Sequence, residues 1–339
     1  MVTFGAKLYL LLNLFTLKLQ SLSNQPVNQS TSQPIDQSTD HPVWLILAGM
    51  FMASILLTMI GGGVFQMLAM TLGWDSSLMS GMLAPDAPPA ERWQMRLMLA
   101  IGHLCSFVLA GWVVVRFFYQ PNGRALAYLR ANRLPDLRLV FAGIFLLLAS
   151  IPLVLFLYNI NQALPLPDSL RLLEEQTTDT IKALLQMDNG LELLANLTLI
   201  ALLPAIGEEL VFRGVVQQQL QRRIASPWLA IVLASAIFSF IHFQFEGFLP
   251  RMLLGILLGW LYWRCQNLWV PAAAHFVNNA AQVVGQFLYS REISTLDLEQ
   301  DIEMPWPAAA GSALLVLGIM YLIHTRIHRL SFIIHHSKK

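Results

Sequence analysis

The chain has 339 residues, of which 56% are hydrophobic and only 12% charged, with 21 basic against 20 acidic side chains. Soluble domains carry roughly 25% charge, so water alone is not the solvent of this chain. The composition also excludes a disordered chain and a globally basic nucleic-acid binder, and two cysteines, Cys105 and Cys265, cannot build a disulfide framework or a cysteine-rich zinc site.

In chain order, residues 1–42 stand apart. An apolar stretch at 8–19 precedes an eight-residue repeat, QPVNQSTS then QPIDQSTD, rich in Gln, Ser, Thr and Pro. Such a tract cannot bury a core and reads as a flexible low-complexity segment. On one reading it is an overlong translation start that the mature protein lacks; on the other, the apolar stretch is an amphipathic surface helix.

Beyond it, a bilayer span requires about 20 mostly apolar residues in a helix, because unpaired backbone amides in hydrocarbon cost several kcal/mol each. Segments 44–70, 93–118, 138–160, 192–221, 228–245, 248–264, 268–288 and 307–326 qualify. The expected fold is therefore all-α, a polytopic membrane helical bundle of about eight transmembrane helices. Its parts are N-terminal spans with an interfacial helix (43–190), a transmembrane core (191–288), and a last span with a basic tail (289–339). The interfacial helix is 168–187, where Leu170, Leu173, Ile181, Leu184 and Leu185 gather near one face with acids opposite; a lid over the membrane core is the other reading. Lys and Arg number twelve on one set of alternate loops and six on the other, which by the positive-inside rule puts both termini in the cytoplasm.

Ionisable groups inside spans are costly and mark function by default. The fourth span contains Glu208, Glu209 and Arg213, the fifth His242, and the seventh His275 with Asn278 and Asn279. Glu209 and Arg213 are four apart and share a face, an arrangement that offsets the desolvation of both; Glu208 points about 100° away. His275 and Asn279 share a face, and His242 follows Phe238 by one turn. Two glutamates and two histidines on three spans can hold and activate a water or a metal ion, with a carboxylate to take a proton and imidazole and amide groups to stabilise an oxyanion. A purely structural network is the competing reading, and a proton-coupled transporter a weaker one. His103, in the second span, is isolated in sequence and reads as a packing residue.

Glu208-Glu209-x-x-x-Arg213, Phe238-x-x-x-His242 and His275-x-x-x-Asn279, each in an apolar helix and in this order, closely resemble the CAAX protease and bacteriocin-processing (CPBP or Abi) family of intramembrane endopeptidases, also called type II CAAX prenyl endopeptidases. The resemblance covers roughly 190–288. It implies an enzyme, with Glu208 the base that activates water, Glu209 and Arg213 the second acid and arginine of the first motif, His242 a water or metal contact, and His275 with Asn279 the oxyanion site. It leaves open a metalloprotease in which Glu208, His242 and His275 hold zinc or another divalent metal. The implied partners are the lipid bilayer and a peptide or protein substrate, prenylated or a bacteriocin precursor, and the implied location is a bacterial plasma (inner) membrane. A non-catalytic scaffold or bacteriocin-immunity protein of the same fold is the alternative.

Overall fold

A computed structural model of the protein describes residues 41–74, 81–118, 125–294 and 303–336, with 328–336 described by their backbone alone. Residues 1–40 of the expected low-complexity segment lie outside them. Nine helices carry the description that follows: α1 Val43–Leu72, α2 Pro89–Phe118, α3 Leu137–Gln162, α4 Asp168–Leu185, α5 Gly190–Arg223, α6 Pro227–Phe240, α7 Phe248–Cys265, α8 Trp269–Ser290 and α9 Trp306–His336. A single helical turn at Ala125–Tyr128 adds to them, and there is no strand among the described residues. The all-helical expectation is met. The compact unit lies within Thr39–Thr325; residues 326–336 are the end of α9.

Among the described residues five helices are long and apolar enough to cross a membrane: α1, α2, α3, α5 and α9, the last over Trp306–Ile327. The chain is a multi-pass membrane protein. Eight crossings are not supported on that standard. The other three expected spans are helices at the expected places, but α6 has 14 residues, and α7 and α8 are interrupted by the polar groups that make them interesting. They pack on their neighbours: α6 lies along α7, α3 covers α7 and α8, and α8 lies against α5. Leu229, Leu233, Ile237 and Phe240 on the outer face of α6 are exposed, as are Trp44, Phe51, Met59, Met67 and Met70 of α1, in the manner of lipid-facing side chains.

Helix starts follow capping chemistry. Asn189 accepts the backbone N–H groups of Leu191 and Glu192 at the head of α5, Ser226 accepts that of Leu229 ahead of Pro227 in α6, and Asp136 accepts that of Arg138 in α3. Pro152, inside α3, removes a helical donor, and Ser312 of α9 docks beside the gap: its hydroxyl donates to the Ala149 carbonyl at 2.6 Å and accepts from the Leu153 N–H at 3.3 Å.

α4 forms where expected, but its buried face is different. Leu173 and Ile181 are 37% and 40% exposed, whereas Glu174 is 6% exposed and shares the inner face with Thr180, Ala183 and Leu184. Ala183 and Leu184 pack on Leu83, Ala87 and Met95, and Thr180 accepts the Leu83 N–H. Leucine spacing alone missed this because a carboxylate with backbone N–H partners is as content inside as a leucine.

Glycines set the closest helix approaches, as is usual where backbones must meet in an apolar bundle. A Cβ on Gly255 of α7 would lie 2.9 Å from the Ser235 Cβ of α6, and one on Gly259 would lie 2.7 Å from the Gln217 side-chain oxygen of α5. Cys105 serves the same purpose from the other side, its Sγ 2.8 Å from where a Gly61 Cβ would stand; both cysteines are free. Gly255→Val is expected to separate α6 from α7 and destabilise the protein by about 1–3 kcal/mol, the usual cost of overpacking, read as a lowered melting temperature in detergent.

Candidate active site

Glu208 and Glu209 lie side by side in the middle of α5, between two π-helical turns at Leu197–Leu202 and Phe212–Gln217. Single π turns inside α-helices occur frequently at functional sites, because the extra residue per turn re-aims the side chains around it. The two carboxylates then do different work.

Glu209 is fully buried, 0% exposed, and is held from two helices. Its Oε2 lies 3.1 Å from Nε of Arg213, one turn on, and its Oε1 accepts from Nδ1 of His275 in α8 at 3.0 Å. Arg213 in turn donates from Nη2 to the Gly255 carbonyl of α7 at 3.1 Å and places its guanidinium 5.1 Å from the centre of the Phe238 ring in α6. One ion pair therefore ties four helices together. Gln217 and Gln218 extend the seam, donating to the Gly259 carbonyl and the Tyr262 hydroxyl of α7.

Glu208 is also buried but makes no short contact; three imidazoles surround it instead. Nε2 of His275 lies 3.8 Å from its Oε2, Nε2 of His242 3.9 Å from its Oε1, and Nε2 of His103, in α2, 3.5 Å from the same Oε1. The tautomers of two rings follow from their other nitrogens. Nδ1 of His242 lies 2.7 Å from the Phe238 carbonyl, and Nδ1 of His275 faces the Glu209 carboxylate; both acceptors demand an N–H, so Nε2 of each ring is left to face Glu208. Phe238 underlies the group, its ring 4.9 Å from that of His242 and 6.3 Å from that of His275, edge-on to both.

Of the residues expected from sequence, Glu208, Glu209, Arg213, His242 and His275 thus come together. Asn279 does not join them by any described contact; its recorded partner is Asn278, whose amide donates to it at 3.3 Å. Among the described residues no group of three or more His, Cys, Asp or Glu is arranged to hold a metal ion. His103, expected to be an isolated packing residue, lies at the site: its Nε2 is nearer to Glu208 than that of His242 or His275. Sequence spacing could not find it, since α2 is some hundred residues away; the one signal was a histidine inside an apolar span.

Two further groups were missed. The loop carrying His242 is held by Glu174 of α4, which accepts the N–H groups of Phe245 at 2.7 Å and Glu246 at 3.2 Å, and by Asn161 of α3, which donates to the Phe245 carbonyl and accepts the Leu249 N–H. At the head of α5, Arg92 and Arg96, counted with the loops in the sequence, are buried residues of α2. Arg96 meets Glu192 at 3.1 Å, Asn196 at 2.8 Å and the Leu184 carbonyl at 3.0 Å, and Arg92 pairs with Asp188. This network fixes α2 alongside α5.

Comparison with known proteins bears on the same segment. Residues 190–281 match the family described as Type II CAAX prenyl endopeptidase Rce1-like. The matched domain contains α5, α6, α7 and the part of α8 with His275 and Asn279, which are the helices that carry the three motifs. No curated protein and no solved structure matches the chain. His103, Glu174, Arg92 and Arg96 all lie outside the matched segment.

Removing one side of a buried ion pair leaves the other charge uncompensated, at a cost of about 3–5 kcal/mol. Glu209→Gln is accordingly expected to lower the melting temperature well beyond the effect of Glu208→Gln, because Arg213 and His275 lose their common acceptor. Equal melting temperatures for the two variants would contradict the division of labour described here.

Proposed function

We propose that the protein is an intramembrane endopeptidase in which Glu208 activates the water that hydrolyses a peptide bond. The observation that carries this reading is a buried carboxylate with no short partner, facing three ring nitrogens, inside the segment that matches a prenyl endopeptidase family. A carboxylate meant only to lock helices would be paired, as Glu209 is.

The reaction would run as follows. Glu208 takes a proton from water as the oxygen attacks the scissile carbonyl carbon, and the tetrahedral oxyanion forms. Nε2 of His275, whose Nδ1–H is held by Glu209, faces Glu208 and would carry a proton taken from solvent before the attack and kept through the cycle, donating it to the oxyanion with Asn279, one turn along α8, as the second donor. The C–N bond then breaks, and the proton held by Glu208 passes to the departing amine. His242 orients the water from the other side of the carboxylate. The donor atoms of Glu208, His242 and His275 are of the kind that zinc or another divalent metal accepts, but they are not gathered as a ready cage, and no step above passes through one.

The substrate is a membrane-associated peptide or protein, either a prenylated C-terminus or a bacteriocin precursor, and the bilayer is a plasma (inner) membrane with both termini cytoplasmic. The last placement takes all eight apolar segments of the sequence as crossings, an even number, with Lys and Arg then numbering twelve against six on alternate loops.

The test is cleavage of quenched peptides, prenylated and unprenylated, by the full chain in liposomes. Glu208→Gln is expected to lower turnover by about 10²–10⁴-fold, the usual contribution of a general base, with its melting temperature retained. Turnover equal to that of the unaltered chain would eliminate Glu208 as the base. A parallel assay with a chelator is expected to leave turnover unchanged if the carboxylate acts alone and to abolish it if a metal takes part.

A further inference from the structure

Resting on the endopeptidase reading above, we infer that His103 is a water-positioning residue of the site, supplied by a helix outside the family-matched segment. Four independent observations converge on it.

The first is distance. Nε2 of His103 lies 3.5 Å from Oε1 of Glu208, nearer than the 3.9 Å of His242 to the same oxygen. The second is an unmet need: that Nε2 is buried and has no hydrogen-bond partner. Gaps of 3.5 and 3.9 Å around one carboxylate oxygen are longer than ordinary hydrogen bonds, and a water standing to the side of both lines, about 2.8 Å from each atom, would bridge them. Two imidazoles and a carboxylate aimed at one small volume give such a water the two to four polar partners it requires.

The third observation is that the ring is held in this pose. The His103 ring stacks on that of Phe107, centroids 4.5 Å apart and planes 26° from parallel. Phe107 belongs to a π-helical turn, Leu104–Leu109, that begins directly after His103. The backbone disturbance of that turn is met from neighbours: Ser54 of α1 donates to the Ser106 carbonyl at 2.8 Å, and the Ser106 hydroxyl donates to the Gly102 carbonyl. The fourth is the closeness of the helices. A Cβ on Gly207, the residue before Glu208, would stand 3.0 Å from Phe107 Cβ, and one on Gly111 would stand 1.9 Å from Leu210 Cδ2. Glycine on both sides of the crossing lets α2 approach near enough for an imidazole to reach Glu208. A packing residue needs none of these arrangements; leucine would fill the same space without leaving a polar atom unpaired.

Substitutions at His103 separate the roles. Glutamine can set its amide near the position of Nε2, whereas asparagine reaches only to that of Nδ1, and leucine fills the space with no polar atom. In the liposome assay with the full chain, His103→Leu is expected to reduce kcat by about 10²-fold, the order of loss that follows when a reacting group is misplaced by about 1 Å, with KM changed less than about twofold. His103→Gln is expected to recover most of that kcat and His103→Asn little of it. Parental kcat in the leucine variant, a loss confined to KM, or a glutamine variant no better than asparagine would each overturn the inference. If the leucine variant melts lower than its parent, the glutamine and asparagine pair decides. Glu208→Gln, run beside them, keeps the two readings apart. If it stays active, the endopeptidase assignment of Glu208 falls. If it is inactive while His103→Leu is normal, only the role of His103 falls. Failure of the unaltered chain to cleave any of the peptides overturns both.

Discussion

A carboxylate with no exposure at all has to be answered on every side, and the demands of Glu209 shape the centre of this protein. Its charge is met by Arg213 within α5 and by His275 from α8, while Nη2 of Arg213 reaches the backbone of α7 and its guanidinium lies over the ring of Phe238 in α6. In an apolar bundle, helices slide over one another with little penalty, since one leucine contact is much like the next. A buried ion pair with fixed directions removes that freedom. The relative register of α5, α6, α7 and α8 follows from satisfying one acid, and the spacing of the groups around Glu208 follows from that register.

The neighbouring acid gains its character by contrast. Glu208 belongs to the same helix, one residue away, yet faces ring nitrogens at distances no hydrogen bond spans. Keeping a charged or chargeable group under-partnered in a low-dielectric interior is expensive. The protein can sustain it because the surrounding network is fixed from outside: Glu174 and Asn161 hold the His242 loop, Glu209 holds His275, and Phe107 holds His103. The rigid groups are bonded; the reactive one is left reaching.

Much of this was legible in the chain. Charges are so scarce in the spans that Glu208, Glu209, Arg213, His242 and His275 stand out, and spacing of four assigned Arg213 to Glu209 and left Glu208 free, as the structure has it. What spacing could not supply was anything between distant helices. The meeting of α2 with α5 depends on Gly111, Gly207 and two buried arginines, none of which advertises a partner. Glu174 was placed with the solvated acids of α4 because a helical wheel knows hydrophobicity and not which backbone N–H groups will arrive from a loop seventy residues later. The number of crossings was less legible: five helices qualify by length and composition, α6 is short and α7 and α8 are broken by polar groups, and an apolar stretch reads alike in sequence whether it packs inside or faces lipid.

The π turns carry a consequence for comparison among sequences. Each amounts to one residue more than a regular α-helix needs over the same length, and α5 contains two of them, at Leu197–Leu202 and Phe212–Gln217. A relative that runs straight through either place would be a residue shorter in the middle of a transmembrane helix. An aligner that confines gaps to loops would then pair the wrong residues on one side of Glu208 while the motif itself stayed in step. Deleting a single residue at either turn would return it to regular α-helix with the two halves of α5 close to their present orientation, whereas the same deletion in a regular stretch would turn one half against the other by about 100°.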